Sequence, residues 1–230
     1  EARLALLRRN AGIVNATMDA IAASGTMAVV IMVSNPVDIL TQVALRRVPW
    51  PRGRVIGSGT VLDSARLRYL LSHHCGVDVR NVHAYILGEH GDSEFAAWSH
   101  THIAGMPIDV YCPLCRGCVN WNDERRQIEQ EVRDSAYHII DYKGATCYAI
   151  GMALVRIASA VLRNEKSVLT VATLLHGEYD LEDVCLSVPC LVGRDGVERI
   201  VSVTLTDAER QALERSAAVL KTTLASLDQS

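Results

Sequence analysis

An apolar run, Tyr85-Ile86-Leu87, ends in Gly88-Glu89-His90-Gly91-Asp92-Ser93-Glu94, a histidine between glycines with acids on both sides. An imidazole takes or gives a proton near neutral pH. A buried strand that runs into a polar, Gly-punctuated loop is where α/β enzymes place such chemistry. Lone histidines are more often structural than catalytic, so the case depends on what else reaches His90. Asp63 and Arg66 lie three apart in a helical stretch and share a face. A carboxylate beside a histidine fixes its tautomer and favours the imidazolium. An Arg one turn away can grip a substrate carboxylate through two parallel hydrogen bonds. The plainer alternative is an Asp-Arg pair that only satisfies itself.

Two other patterns invite chemistry. Gly57-Ser58-Gly59 opens like a phosphate-binding turn, but the dinucleotide fingerprint needs glycine at 62, where Leu62 stands. Cys112, Cys115 and Cys118 form a C-x-x-C-x-x-C run with His100 and His102 upstream. Such thiols can hold zinc or part of an iron-sulfur cluster. A ferredoxin-type run needs another Cys three residues on, and Asn122 falls near that place, so the run reads as free thiols in a surface loop with no metal.

These residues need elements to carry them. Leu4, Leu7, Ala11, Val14, Met18, Ile21 and Ala22 are spaced for a helix over 4–24, which Gly25 ends. Met27 to Val33 is continuous and β-branched, as in a central parallel strand covered on both faces. It stops at Ser34-Asn35-Pro36, and a helix over 37–47 follows. That puts Ser34 and Asn35 at the carboxyl end of a strand, where open α/β sheets bind ligands. Arg54 to Gly57 reads as a strand, Val61 to His74 as the helix of Asp63 and Arg66, and Val79 to Leu87 as the strand that delivers His90. Arg68 points away from Asp63, and with His83 it reads first as a solvated basic group. Met106 to Asn122 is a loop, and 123–163 is helical with a break near Lys143-Gly144. Val168–Leu174, Val184–Val192 and Ile200–Leu205 read as antiparallel strands, the last two joined by a turn at Gly193-Arg194-Asp195-Gly196. Thr206-Asp207-Ala208-Glu209 is a capping box at the start of the last helix.

The 230 residues, 49% hydrophobic, suffice for one large core or two modest ones. A net charge of -3 without a basic block argues against nucleic acid, and no apolar run is long enough to span a bilayer. Seven cysteines, an odd number, and no signal-peptide pattern suggest reduced thiols in a cytoplasm. The chain starts without Met, inside a helical pattern, so a longer parent is expected.

The segment Asn81 to Glu94 resembles the catalytic-histidine segment of bacterial L-lactate dehydrogenases. Ser34-Asn35-Pro36-Val37-Asp38, Gly57 to Arg66 and Tyr142-Lys143-Gly144-Ala145-Thr146 are similar to the same family in the same order, so the likeness covers essentially the whole chain. It implies NAD as cofactor, interconversion of pyruvate and L-lactate, and His90 as proton donor or acceptor. Asp63 would orient His90, Arg66 would hold the substrate carboxylate, and Arg3 would polarise the carbonyl from a mobile loop. Asn35 would bond the substrate oxygen beside the nicotinamide, Thr146 would line the pocket, and Val33, Ser34 and Ser58 would touch the cofactor. Arg68 and His83 match positions where many bacterial members bind fructose 1,6-bisphosphate between subunits. A homotetramer and a place in glycolysis and fermentation are implied as well.

The expected fold is α/β: the C-terminal half of a Rossmann-type parallel sheet over 1–57, then a mixed α+β substrate domain over 58–230. The family's glycine-rich turn and ribose-binding acid lie outside these residues, so weak NAD binding and an exposed sheet flank are expected of them alone. The rivals are malate dehydrogenase, a remnant without catalysis that only assembles with other subunits, and a metal-binding module at the cysteines.

Overall fold

The computed structural model describes residues 3–115, 118, 120–143 and 147–228. Helix α1 (Arg3–Ala23) buries Leu7, Ala11, Val14 and Met18 along one face, and Gly25 follows it at φ +71°. β1 (Val30–Met32) then leads through a cis Asn35-Pro36 peptide into α2 (Val37–Arg47), which is buried from Val37 to Leu45. β2 (Val55–Gly57) and α3 (Val61–Cys75) complete the alternating part.

The middle of the chain is built from short pieces: β3 (Val82–His83), β4 (Ile86–Leu87), β5 (Phe95–Ala96), β6 (His102–Ile103), β7 (Met106–Pro107) and α4 (Ile108–Tyr111). Two long helices follow, α5 (Trp121–Lys143) and α6 (Cys147–Leu162). β8 (Ser167–His176), β9 (Glu182–Gly193) and β10 (Gly196–Ile200) form a meander, and α7 (Asp207–Asp228) closes the described chain. No helix among the described residues is long and apolar enough to cross a membrane.

The fold is mixed α/β, as expected, but its parallel part is merged with the meander. The main sheet runs β1-β2-β8-β9-β10. β1 and β2 pair in parallel from Val30↔Val55 to Met32↔Gly57, and Gly57 pairs antiparallel with Ala172 of β8. One sheet therefore crosses residue 57, and so does the larger core, which joins Leu7, Ile39, Ile56, Val171, Val188 and Leu220. β1 is an edge strand with one neighbour among the described residues, and it is half-buried. This is the exposed sheet flank expected of these residues, and it differs from the central strand that the apolar run alone suggests.

Two further differences are local. The stretch 79–87 is not one strand. A turn over Val79–Asn81 precedes β3, which pairs with β6, whereas β4 pairs with β5 in a separate sheet. β10 starts at Gly196, the last residue of the predicted turn, and ends at Ile200, where the expected strand over Ile200–Leu205 was to begin. Beyond it the Val201 N–H reaches the Pro189 carbonyl at 2.7 Å, and the ladder stops at a residue with no N–H to return. The capping box is formed: Glu209 N donates to Thr206 Oγ1 at 3.3 Å, and Thr206 N to Glu209 Oε2 at 2.9 Å.

β4 lies between two cores. Its alternation sends Ile86 into a smaller cluster with Leu67, Leu71, Ile103 and Ile128, and Leu87 into the larger one. Buried hydroxyls sew β4 to α3. Thr60 Oγ1 donates to the Ile86 carbonyl at 2.5 Å, and Ile86 N donates to Ser64 Oγ at 2.9 Å. Gly59, at φ +51°, lets the chain enter α3 this close to β8. A Cβ there would lie 2.5 Å from Ala172 N and 2.8 Å from the Thr170 carbonyl oxygen. Gly59→Ala is therefore expected to cost at least about 2 kcal/mol, read as a lower urea midpoint at unchanged slope.

Candidate active site

His90 follows β4 through Gly88, and the turn is held from three sides. Gly88 N and O pair with Ser187 O and N of β9, each at 2.9 Å. Gly88 has φ +95°, and a Cβ there would lie 2.7 Å from Ser216 Oγ, so only glycine fits. That same Ser216 of α7 accepts from Glu89 N at 2.6 Å. Asp38 of α2 accepts the His90 backbone N–H on Oδ2 at 2.9 Å.

The ring is oriented separately. His90 Nδ1 lies 2.7 Å from Asp63 Oδ2, and Arg66 Nη1 donates to Asp63 Oδ1 at 3.0 Å. Asp63 is buried, while the His90 side chain keeps about a quarter of its surface open. The first turn of α3 thus supplies both an orienting acid and a cation, and Nδ1 faces inward so that Nε2 is free for a reacting atom.

Glu94 completes the surroundings. Carboxylate oxygens of Asp63 and Glu94 and a His90 ring nitrogen lie within 4.8 Å of one another. Burial, assisted by the Asp63 charge, pushes the Glu94 carboxyl up to about 9. Burial likewise raises Asp38 to about 7, the His90 N–H and imidazolium opposing it. Asp38 Oδ1 is buried without a hydrogen-bond partner. Burial disfavours the charged form of His90 too, but the Asp63 hydrogen bond and charge, followed by the charges of Asp38 and Glu94, outweigh it and raise the imidazolium to about 9. The site is thus a buried acid cluster organised around one cation-forming ring.

The structure brings His90, Asp63 and Arg66 together. Ser34 and Asn35 are exposed at the carboxyl end of the parallel pair, and Val33 beside them is half-buried. Ser58 is buried, its N–H spent on the Met32 carbonyl at 2.8 Å. Arg68 is half-buried and donates to the Ala84 carbonyl at 3.2 Å, one residue past the exposed His83. Arg3 opens α1 and its side chain is outside the described atoms, whereas Thr146 lies outside the described residues altogether. Sequence reasoning gave Asp38 and Glu94 no role, although both stand in the quoted motifs. An acid one turn past Asn35 and another four residues past His90 were the available signals.

The family description "lactate/malate dehydrogenase, NAD binding domain" matches residues 1–57, and "lactate/malate dehydrogenase, alpha/beta C-terminal domain" matches residues 60–229. The chain belongs to the lactate/malate dehydrogenase family. An L-lactate dehydrogenase of Treponema denticola is 58% identical over 223 residues, 96% of this chain and 70% of that protein. One from Acetivibrio thermocellus is 49% identical, with 99% and 72% covered. Among solved structures, a lactate dehydrogenase from a Medee basin deep-sea metagenome superposes with TM-score 0.96 at 44% identity, covering 99% of this chain and 72% of that one. The minor L-lactate dehydrogenase of Enterococcus mundtii, in ligand-bound form, gives TM-score 0.93 at 41% identity, with 98% and 71% covered.

The chain is therefore an NAD-dependent oxidoreductase of this family. Its residues fit the nicotinamide end of NAD. Ser34 and Asn35 stand open at the carboxyl ends of β1 and β2, and Asp38, one turn on, holds the His90 backbone. No Gly-x-Gly-x-x-Gly occurs in the 230 residues, so the pyrophosphate end has no such turn here.

Asp38 supplies a stability test. Its folded carboxyl titrates near 7 against an ordinary 3.8, so ionising it costs stability as pH rises between those values. Asp38→Asn keeps an acceptor for His90 N and removes the charge. The variant is expected to be about 1–3 kcal/mol more stable than wild type in urea titrations at pH 8, the difference vanishing toward pH 4. Equal stability at both pH values contradicts it.

Proposed function

We propose that this chain interconverts pyruvate and L-lactate by hydride transfer with NAD(H), with His90 giving the proton in reduction and taking it in oxidation. One observation carries the reading. A single buried carboxylate, Asp63, holds the His90 ring on one oxygen at 2.7 Å and the Arg66 guanidinium on the other at 3.0 Å. That arrangement sets a proton-transfer nitrogen and a carboxylate-binding cation side by side, as a 2-oxo acid requires. The relatives named L-lactate dehydrogenase add support.

NAD(H), when bound, supplies or accepts the hydride at the substrate carbon. The protein does the rest. Arg66 bonds Asp63 through Nη1 and offers the remainder of its guanidinium to the substrate carboxylate. His90, ionised at neutral pH, points Nε2 at the carbonyl oxygen and delivers its proton as negative charge builds there. Asp63 keeps Nδ1 protonated throughout, so the exchanging proton is always the one on Nε2. Asn35 bonds the substrate oxygen beside the nicotinamide, Val33, Ser34 and Ser58 contact the cofactor, and Arg3 and Thr146 close over and line the pocket. In this reading residues 1–57 are the second half of the dinucleotide-binding domain, which also lends Arg3 and Asn35 to the substrate, and 58–230 are the catalytic domain.

The His90 value sets the pH dependence. Its folded pKa lies above the ordinary 6.5, so the imidazolium and its stabilising contacts are fully present below 6.5 and are lost as pH rises through about 9. Pyruvate reduction should thus decline above pH 9, while lactate oxidation rises over the same range. Asp63→Asn should move both transitions toward 6.5 or below and cut kcat/KM for reduction by about 10²–10⁴-fold. Profiles that do not move with Asp63 remove His90 from the proton step.

Substrate choice is tested by NADH oxidation with pyruvate and with oxaloacetate, using the protein as its gene encodes it. Preference for pyruvate supports the reading, preference for oxaloacetate makes the protein a malate dehydrogenase, and turnover of neither makes it a non-catalytic member. The same assay examines regulation. We read the Arg68–His83 surface, with the Arg68 guanidinium drawn to the Ala84 carbonyl, as half of a fructose 1,6-bisphosphate site in a cytoplasmic homotetramer. Added sugar bisphosphate should lower the half-saturating pyruvate concentration, and an unchanged value would falsify that assignment.

A further inference from the structure

Away from His90, four of the chain's cysteines converge. Cys75 ends α3, Cys112 begins a short turn after α4, and Cys115 and Cys118 follow on the way to α5. His74 joins them. The donor atoms of His74, Cys75 and Cys115 lie within 4.8 Å of one another, as do those of His74, Cys112 and Cys118. His74 Nε2 is 3.4 Å from Cys112 Sγ. This is not the set that sequence spacing suggests. His100 and His102 precede the run in the chain, but His100 Nε2 is occupied by the Thr204 carbonyl at 2.6 Å and His102 pairs with His83 in the β3–β6 ladder. Nor is the run a surface loop of independent thiols: Cys112 is fully buried, and all four sulfurs pack into the smaller core with Trp121, Trp98 and Tyr111.

We propose that His74, Cys75, Cys112, Cys115 and Cys118 form a structural zinc site, a thiolate-rich cage from which a tetrahedral ion draws four ligands. Zinc bound to sulfur at about 2.3 Å sets its ligands about 3.8 Å apart along the tetrahedral edge, and each of the two triads that share His74 already holds its donor atoms within 4.8 Å. A second feature points the same way. His74 Nδ1 lies 3.8 Å from Glu124 Oε2 on α5 while Nε2 faces the sulfurs, so the ring stands between a carboxylate and the cage, as metal-ligating histidines do. The four thiols explain little as an apolar cluster. Thiols are weak donors facing weak acceptors when no cation is present. A dication reverses that balance and takes the thiolates outright.

The location gives the ion a task. It ties the end of α3 to the start of α5. α3 carries Asp63 and Arg66 at its other end, and Arg133 of α5 donates to the Glu94 carbonyl at 3.3 Å. The site lies outside the reaction and does not depend on which 2-oxo acid is used.

The test is metal content of fully reduced protein, purified without chelators or a metal-affinity step. About one zinc per chain is expected. Replacement by cobalt(II) should give the visible ligand-field bands and near-ultraviolet charge-transfer absorption of a tetrahedral thiolate complex. The double variant Cys115→Ser, Cys118→Ser should lose the zinc and those bands while keeping the wild-type far-ultraviolet circular dichroism. It should also abolish the drop in Tm that a strong chelator causes in wild type. Reduced wild-type protein that holds no zinc and gives no cobalt–thiolate spectrum overturns the proposal. So does stoichiometric iron or copper in its place, or a mass two hydrogens short per cysteine pair after anaerobic isolation, which assigns the cluster to disulfides.

Discussion

Everything in the candidate site depends on one buried carboxylate with two partners. Asp63 cannot leave its place without stranding a charge, because its oxygens hold His90 and Arg66 in a region closed to water. The cost of burying it is offset by hydrogen bonds that are themselves the useful geometry. Removing either partner leaves the buried anion with a single counter-charge, so in the proposed function the proton donor, the substrate-binding cation and local stability are coupled through one residue. That coupling explains why Asp63 sits on the first turn of a helix and not on a loop: a helix turn fixes Asp63 and Arg66 relative to each other before any substrate arrives.

The acids around His90 divide the electrostatic work. Three carboxyl groups lie near one imidazole, and if all were ionised the repulsion among them would be severe. Burial resolves this by raising Glu94 to about 9 and Asp38 to about 7, leaving Asp63 as the partner with a direct hydrogen bond to the ring and a guanidinium behind it. Burial thus holds the Glu94 carboxyl far above the ordinary carboxylate range, close to the His90 imidazolium. A change of its protonation alters the field at His90 without touching the substrate. Asp38 Oδ1 is buried without a partner, while Oδ2 accepts the His90 backbone N–H and so ties the start of α2 to the His90 turn.

Much of this was legible in the sequence where the signal was local. Helices α1, α2, α3 and α7 announce themselves by apolar spacing and caps, and Thr206 and Glu209 form the box their spacing suggests. His90, Asp63 and Arg66 could be picked out because a motif and a helical repeat each placed two of them. What stayed hidden is pairing. Nothing in Val79 to Leu87 says that β3 and β4 serve different sheets, because partner strands are chosen by distant residues. The same holds for the cysteines. His74 and Cys75 stand nearly forty positions before Cys112, so no local motif joins them.

The merged sheet carries a consequence for how the two halves of the reaction meet. Because Gly57 pairs with Ala172 and the Ser58 N–H is held by the Met32 carbonyl, the carboxyl ends of β1 and β2 and the start of α3 are one hydrogen-bonded backbone. Thr60 and Ser64 then bind that start to Ile86, three and four residues before Glu89 and His90. Hydride transfer demands donor and acceptor within a fraction of an ångström of a fixed geometry, and a loop hinge between them would spoil it. Here the path from Asn35 runs through the Asp38 bond to the His90 backbone, and that from Gly57 through the start of α3 and Asp63 to the His90 ring. The reacting groups are positioned from two directions by backbone, and the freedom a substrate needs for entry must come from elsewhere in the chain.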